Sequence, residues 1–305
     1  MERSHYLTAP DGTKIWYGTV GRGPALVLCD GLACDGFIWP YVIDRFIDDF
    51  TIVRWHYRGH GASGVPEDPE SISLDQMCDD LALVLDALDI DQAILAGHSM
   101  GVQVILNFCE ARQERVRALI PICGSYKHPL DTFHGSDLMR RILPYLRRAV
   151  DSAPLAIQKT WETLLPRQIW YKVAVQSAEV NGQLLRQQDF LPYLEHASRM
   201  DLHFFLSLLS ALSLHSAEEL LAEITAPTLV IAGENDTFTP MFRSVEMAEM
   251  LPNSKLVVVP EGTHVAPLEM PELVNEAIEK FLHRHAMLTL TQSATSPTQI
   301  APSSP

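Results

Sequence analysis

A mostly parallel β-sheet covered by helices on both faces is the fold class that the sequence predicts, and three observations predict it. Short apolar runs, of the kind that form strands buried on both faces, alternate with stretches of helical apolar spacing at both ends of the chain. Between about residues 125 and 215 that alternation stops and only helical stretches remain, so an inserted helical module is expected there. Finally, Ala93-Ile-Leu-Ala-Gly-His-Ser-Met-Gly101 reads as a strand that runs through a tight turn directly into a helix.

The elements follow in order. Residues 4–20 alternate apolar and polar around Asp11-Gly12, the signature of a hairpin. Pro24-Ala-Leu-Val-Leu-Cys29 is a continuous apolar run and ends at Asp30-Gly31-Leu32. A short helix is expected at Trp39–Ile47, then a strand at Thr51–Trp55 that ends in Tyr57-Arg-Gly-His-Gly-Ala-Ser63. Ser73–Leu88 carries Leu74, Met77, Leu81, Val84, Leu85 and Leu88 at helical spacing, with Ser73 and Gln76 placed for a capping box. After the serine turn and its helix comes the strand Val116–Ile122. The helical module follows, its stretches broken by Pro129, Pro144, Pro154, Pro166 and Pro192. Strand–helix alternation resumes with Pro227–Ala232, a helix at Met241–Met250, a strand at Lys255–Val259 and a last helix at Pro271–His285. The expected division is a core of residues 1–124 and 216–288, an insertion at 125–215, and a disordered Ser/Thr/Pro/Gln-rich tail at 289–305.

Composition narrows the function. With 47% hydrophobic and 20% charged residues, a chain of 305 residues can bury a sizeable core. Its net charge of −15 repels nucleic acid and anionic membrane surfaces, so neither is an expected partner. The five cysteines are odd in number, not spaced as zinc ligands, and several lie in apolar segments. A reduced, cytoplasmic setting is expected, as the N-terminus lacks a signal-peptide core and no run is long enough to span a membrane.

Ligands of open parallel sheets gather at the carboxyl ends of the strands. The residues expected there are Asp30-Gly31-Leu32, Ser99, Gly233-Glu-Asn-Asp236 and Gly262-Thr-His264. A serine hydroxyl needs an adjacent base, normally a histidine that a carboxylate orients, before it attacks a carbonyl. Ser99, Asp236 and His264 supply those groups, each just after an expected strand. A serine at the tip of a strand–helix turn needs strained backbone angles, and the close approach beside it would exclude a Cβ at Gly97 and Gly101.

On Gly-His-Ser-Met-Gly, Tyr57–Ser63, Pro227–Asp236 and Gly262-Thr-His264, the chain over residues 4–285 resembles the α/β-hydrolases, specifically the lipase/esterase-like group with a helical lid. The resemblance implies that Ser99 is the nucleophile, His264 the general base and then acid, and Asp236 the orienting carboxylate. It implies an oxyanion hole from the backbone N–H groups of Met100 and Leu32. It implies no cofactor or metal, and a small-molecule carboxylic ester as substrate; the apolar content of the helical insertion suggests a small to medium hydrophobic acyl group. One departure stands out: the loop before Leu32 begins Asp30-Gly31 where the group usually has His-Gly, and Asp30 is expected to turn away and accept backbone N–H bonds.

Other groups read as structural. His98 and His56 are expected to pack or hydrogen-bond within their turns, and His60 to do the same or line the pocket rim. Glu234 competes with Asp236 for the acid role. Leu138–Arg148 reads as a helix with one apolar side and arginines in water, and Leu202–Leu212 as both a packing helix and an acyl-pocket wall. Trp39, Trp161, Trp170, Phe204 and Phe205 could line an aromatic pocket. The same triad would also serve a lactone or carbon–carbon bond hydrolase, an acyltransferase or a perhydrolase. A different class, a ligand-binding receptor with slow hydrolysis, also fits these residues.

Overall fold

The computed structural model describes residues 3–165 and 168–288; the tail expected to be disordered lies outside them, as does Pro166. Strands β1 (Arg3–Thr8) and β2 (Lys14–Gly21) form the expected hairpin. They are followed by β3 (Ala25–Cys29), helix α1 (Pro40–Phe46), β4 (Thr51–Trp55) and α2 (Leu74–Ala87). The capping box at the start of α2 is present in full: the Ser73 hydroxyl accepts the Gln76 N–H, and the Gln76 side chain accepts the Ser73 N–H. Next come β5 (Ala93–His98), α3 (Met100–Arg112) and β6 (Val116–Ile122).

Among the described residues, five α-helices lie between β6 and β7: α4 (Leu138–Ser152), α5 (Pro154–Leu164), α6 (Ile169–Gln176), α7 (Gln187–Arg199) and α8 (Leu202–Leu214). An isolated antiparallel bridge, Lys127 to Ser216, brings the two ends of this segment together. The chain closes with β7 (Thr228–Gly233), α9 (Met241–Met250), β8 (Ser254–Val259), the single turn α10 (Ala266–Glu269) and α11 (Pro271–Arg284). Proline placement differs from expectation in two helices. Pro154 opens α5, where its missing N–H costs nothing, but Pro144 and Pro192 lie inside α4 and α7. Packing of one apolar side, through Leu143 and Val150 of α4 and Phe190 and Leu194 of α7, outweighs the single hydrogen bond each proline removes.

The eight strands form one sheet in the order β1-β2-β4-β3-β5-β6-β7-β8, parallel from β4 to β8. Every residue of β3, β5 and β7 is buried, because helices cover both faces. One apolar layer, around Val27, Leu95 and Phe108, fills one face, and another, around Leu28, Ile120 and Ile231, fills the other. All five cysteines are unpaired and buried in these layers, Cys29, Cys78 and Cys109 in the first and Cys34 and Cys123 in the second. Strand order reverses between β3 and β5, which opens a crevice at their carboxyl ends. No helix among the described residues is long and apolar enough to cross a membrane.

Candidate active site

Ser99 sits at the crevice, between β5 and α3, with φ +55° and ψ −116°, a conformation disfavoured for any residue with a β-carbon. Its flanking glycines explain how the chain tolerates the turn. A Cβ on Gly97 would overlap the Gly101 carbonyl, and one on Gly101 would overlap the carbonyl of Cys29 in β3. The serine hydroxyl is thereby held out at the start of α3.

The three residues expected to act together meet. Ser99 Oγ is 2.9 Å from His264 Nε2, and His264 Nδ1 is 2.9 Å from Asp236 Oδ2. His264 follows β8, Asp236 follows β7, and the Asp236 side chain is almost fully buried. Asp236 is held by more than the histidine. Its Oδ1 accepts the backbone N–H groups of Phe238 and Thr239 at 2.8 and 2.9 Å, and its Oδ2 accepts the Thr239 hydroxyl at 2.8 Å. Glu234, the competing carboxylate, points elsewhere and accepts the Glu261 N–H.

The loop carrying His264 is fixed from two sides. His98 Nε2–H donates to the His264 carbonyl at 2.8 Å, and burial followed by the nearby His264 pushes the His98 pKa down to about 3, so this ring is neutral. Glu269, 5% exposed, accepts the Thr263 N–H and hydroxyl at 2.7 Å each, and also the Asn181 N–H from the helical segment. Burial raises the Glu269 pKa, with those donors opposing it. The Phe238 ring stacks on the His264 imidazole, centroids 4.9 Å apart. Thr239, Glu269 and Phe238 carry no signal in the sequence that would single them out.

Among the described residues, the N–H groups of Leu32 and Met100 have no protein acceptor, and both residues line the same cavity as Ser99 and His264. Asp30 does turn away from the site, but its partner is a side chain: its Oδ1 accepts the Trp39 indole N–H at 2.7 Å. Burial pushes its pKa up to about 7 against that hydrogen bond. Trp39 is thus a buried support for Asp30 and not a pocket residue. His60 is 1% exposed and lies beneath the Leu32 turn, away from the pocket rim, while His56 stacks on Trp16 and accepts the Ala62 N–H.

The cavity has a volume of about 780 Å³, and its walls are mainly apolar. Helix α8 contributes Phe205, Leu206 and Leu209 to it, while Phe204 on the other side of the helix is buried against Gly59. Leu202–Leu212 thus packs on the core and lines the cavity, and of the aromatic residues expected at a pocket Trp161, Trp170 and Phe205 line it while Phe204 does not; Phe37, Phe133, Phe190, Tyr193 and Phe238 line it as well. Glu179 is the one side-chain carboxylate among the described lining residues, which include no lysine or arginine. A second, more open depression of about 1120 Å³ lies between residues 171–183 and 234–242 and reaches neither Ser99 nor His264.

The family described as alpha/beta hydrolase fold matches residues 24–271. The chain belongs to the alpha/beta-hydrolase family. This alpha/beta hydrolase is 26% identical over 273 residues to a protein named as a carbamate hydrolase, RutD, from Azorhizobium caulinodans, covering 88% of this chain and 94% of that one. It is 26% identical over 287 residues to 3-oxoadipate enol-lactonase 2 of Acinetobacter baylyi, covering 91% and 96%. Among solved structures, a thermophilic esterase from Thermogutta terrifontis superposes with a TM-score of 0.74 at 22% identity, covering 93% of this hydrolase and 99% of that chain. That likeness extends the agreement in fold.

Proposed function

We propose that this alpha/beta hydrolase is a serine hydrolase that cleaves carboxylic esters through an acyl-enzyme. The observation that carries the reading is the unbroken chain of contacts from Ser99 Oγ through His264 to Asp236 Oδ2, each 2.9 Å long. His264 Nε2 removes the Ser99 proton as Oγ attacks the ester carbonyl. Asp236 holds the ring with Nδ1–H toward itself and stabilises the imidazolium that forms. The N–H groups of Met100 and Leu32 receive the oxyanion, Met100 with the added field of the α3 N-terminus. His264 then returns the proton to the departing alkoxide and next activates the water that releases the acid.

Residues 125–215 act as a lid in this reading, since α4, α5 and α8 supply much of the cavity wall. The wall favours an uncharged, hydrophobic acyl group. Relatives are named for a carbamate and for the enol-lactone of a dicarboxylate. A free carboxylate on the substrate would find no lysine or arginine among the described residues of this wall, and Glu179 would repel it. The test is Ser99→Ala assayed on short p-nitrophenyl esters, followed by a panel of esters, lactones and diketones with the wild type. Ester turnover should fall at least about 10³-fold in a variant that keeps its melting temperature. Unchanged turnover by that folded variant would sink the reading, and a preference for diketones or lactones would move the same triad to another reaction.

A further inference from the structure

The turn that carries Leu32 is strained and is held from below. Gly31 to Cys34 form a tight turn, closed by the Cys34 N–H on the Gly31 carbonyl at 3.3 Å. Ala33, its third residue, has φ +60°, a position where such a turn normally carries glycine. The left-handed conformation is unfavourable for alanine. Both ends of the Leu32–Ala33 peptide are pinned: the Ala33 N–H donates to His60 Nε2 at 3.1 Å, and the Leu32 carbonyl accepts the Cys34 Sγ–H at 3.4 Å.

His60 is suited to this task. Its Nδ1 lies 3.1 Å from the Arg58 carbonyl, which can only accept, so the proton sits on Nδ1 and the Nε2 lone pair faces Ala33. Tyr57 and Phe204 meet the ring at 84° and 77° and fix its plane. Burial, with His196 nearby and the Arg58 carbonyl opposing, pushes the His60 pKa down to about 3, which keeps that lone pair free.

We propose that His60 is a positioning residue for the oxyanion hole: through Ala33 it holds the turn in the shape that presents the Leu32 N–H beside Ser99. The proposal rests on the ester-hydrolase reading above. Gly31 is the joint through which the turn meets the site, since a Cβ there would come within 3.2 Å of both Ser99 Cβ and His98 Nδ1. Without the His60 bond, Ala33 relaxes toward ordinary backbone angles. The turn is anchored at both ends, so Gly31, its loosest residue, takes up the change and the Leu32 N–H moves with it.

Two substitutions separate the two ring nitrogens. His60→Asn keeps a donor near the Arg58 carbonyl but lacks an acceptor at the Nε2 position, whereas His60→Gln places an amide oxygen there. His60→Asn should lower kcat for a p-nitrophenyl ester about 10- to 100-fold at nearly constant KM, and weaken an arylboronic acid inhibitor in proportion. His60→Gln should stay within about 5-fold of wild type. Adding Ala33→Gly to His60→Asn should restore part of kcat, because glycine adopts the turn without strain. Equal activity of the Asn and Gln variants, or a loss that neither Gln nor Ala33→Gly repairs, overturns the proposal. A second measurement needs no variant: nitrogen-15 spectra of the wild type should show the His60 proton on Nδ1, and a proton on Nε2 would also overturn it. Failure of the underlying reading shows separately, as ester turnover that persists in Ser99→Ala.

Discussion

Thr239 gives the Asp236 carboxylate the last of its four protein hydrogen bonds, from a hydroxyl 2.8 Å away on the same oxygen that faces His264. Thr239→Val removes that donor at constant shape and should lower kcat about 10-fold with KM little changed, the value of one such bond to a charged group. Asp236→Asn should lower kcat about 10³- to 10⁴-fold, because an amide can favour the wrong histidine tautomer. Steady-state kinetics on one ester checks both. Asp30 gives a prediction in pH. Its carboxyl titrates at about 7 in the folded chain and lower when exposed, so between those values the folded state holds the extra proton. Stability therefore falls as pH rises from about 4 through 7. Asp30→Asn keeps an oxygen for the Trp39 indole and has no proton to lose, so its melting temperature should gain on wild type between pH 5 and pH 8. Parallel melting curves across that range would contradict the assignment. The catalytic candidates were legible in the sequence because each ends a strand, in the order serine, aspartate, histidine. His60 on Ala33 and Glu269 on Thr263 were not, because only the folded chain aims those side chains back at neighbouring loops.

At the scale of elements, the strands could be read directly: Thr51–Trp55 and Val116–Ile122 occur with the bounds expected. Continuous apolar runs announce buried parallel strands, and capping residues announce α2. Pro144 and Pro192 mislead, since their local penalty is visible in the sequence and the packing that offsets it is not. The loop after β4 depends on a pair the sequence does not announce. Arg58 grips Asp80 of α2 through Nε at 2.8 Å and a terminal nitrogen at 2.7 Å, both side chains being almost fully buried. Burial raises the Asp80 pKa although Arg58 opposes it, so the pair is under desolvation stress. Asp80→Ala leaves the buried guanidinium with its remaining bond to the more exposed Asp11, 2.7 Å from Nη1, and should cost about 3 kcal/mol by urea denaturation. A loss below about 1 kcal/mol would mean that Asp11 or water satisfies Arg58 once Asp80 is gone.

Over the whole molecule, charge bears on the proposed substrate twice. The net charge of −15 repels anions at long range, and the described residues of the cavity wall offer them no lysine or arginine at short range. An ester with a neutral butyryl group should be turned over at least about 100-fold more efficiently, by kcat/KM, than one with a succinyl group of similar size. Added salt should narrow the gap only modestly, because screening reaches the exterior and not the cavity. Equal rates for the two esters would show that some cation reaches the substrate during turnover.

The five unpaired cysteines turn the sheet into its own recorder. Burial pushes the thiols of Cys78 and Cys109 up to about 12 and raises those of Cys29, Cys34 and Cys123 as well, so scarcely any reactive thiolate exists while the chain is closed. Three of them report one face of the sheet and two the other. Timed alkylation followed by peptide mass spectrometry would therefore show which face comes apart first as denaturant is raised, without a single engineered label.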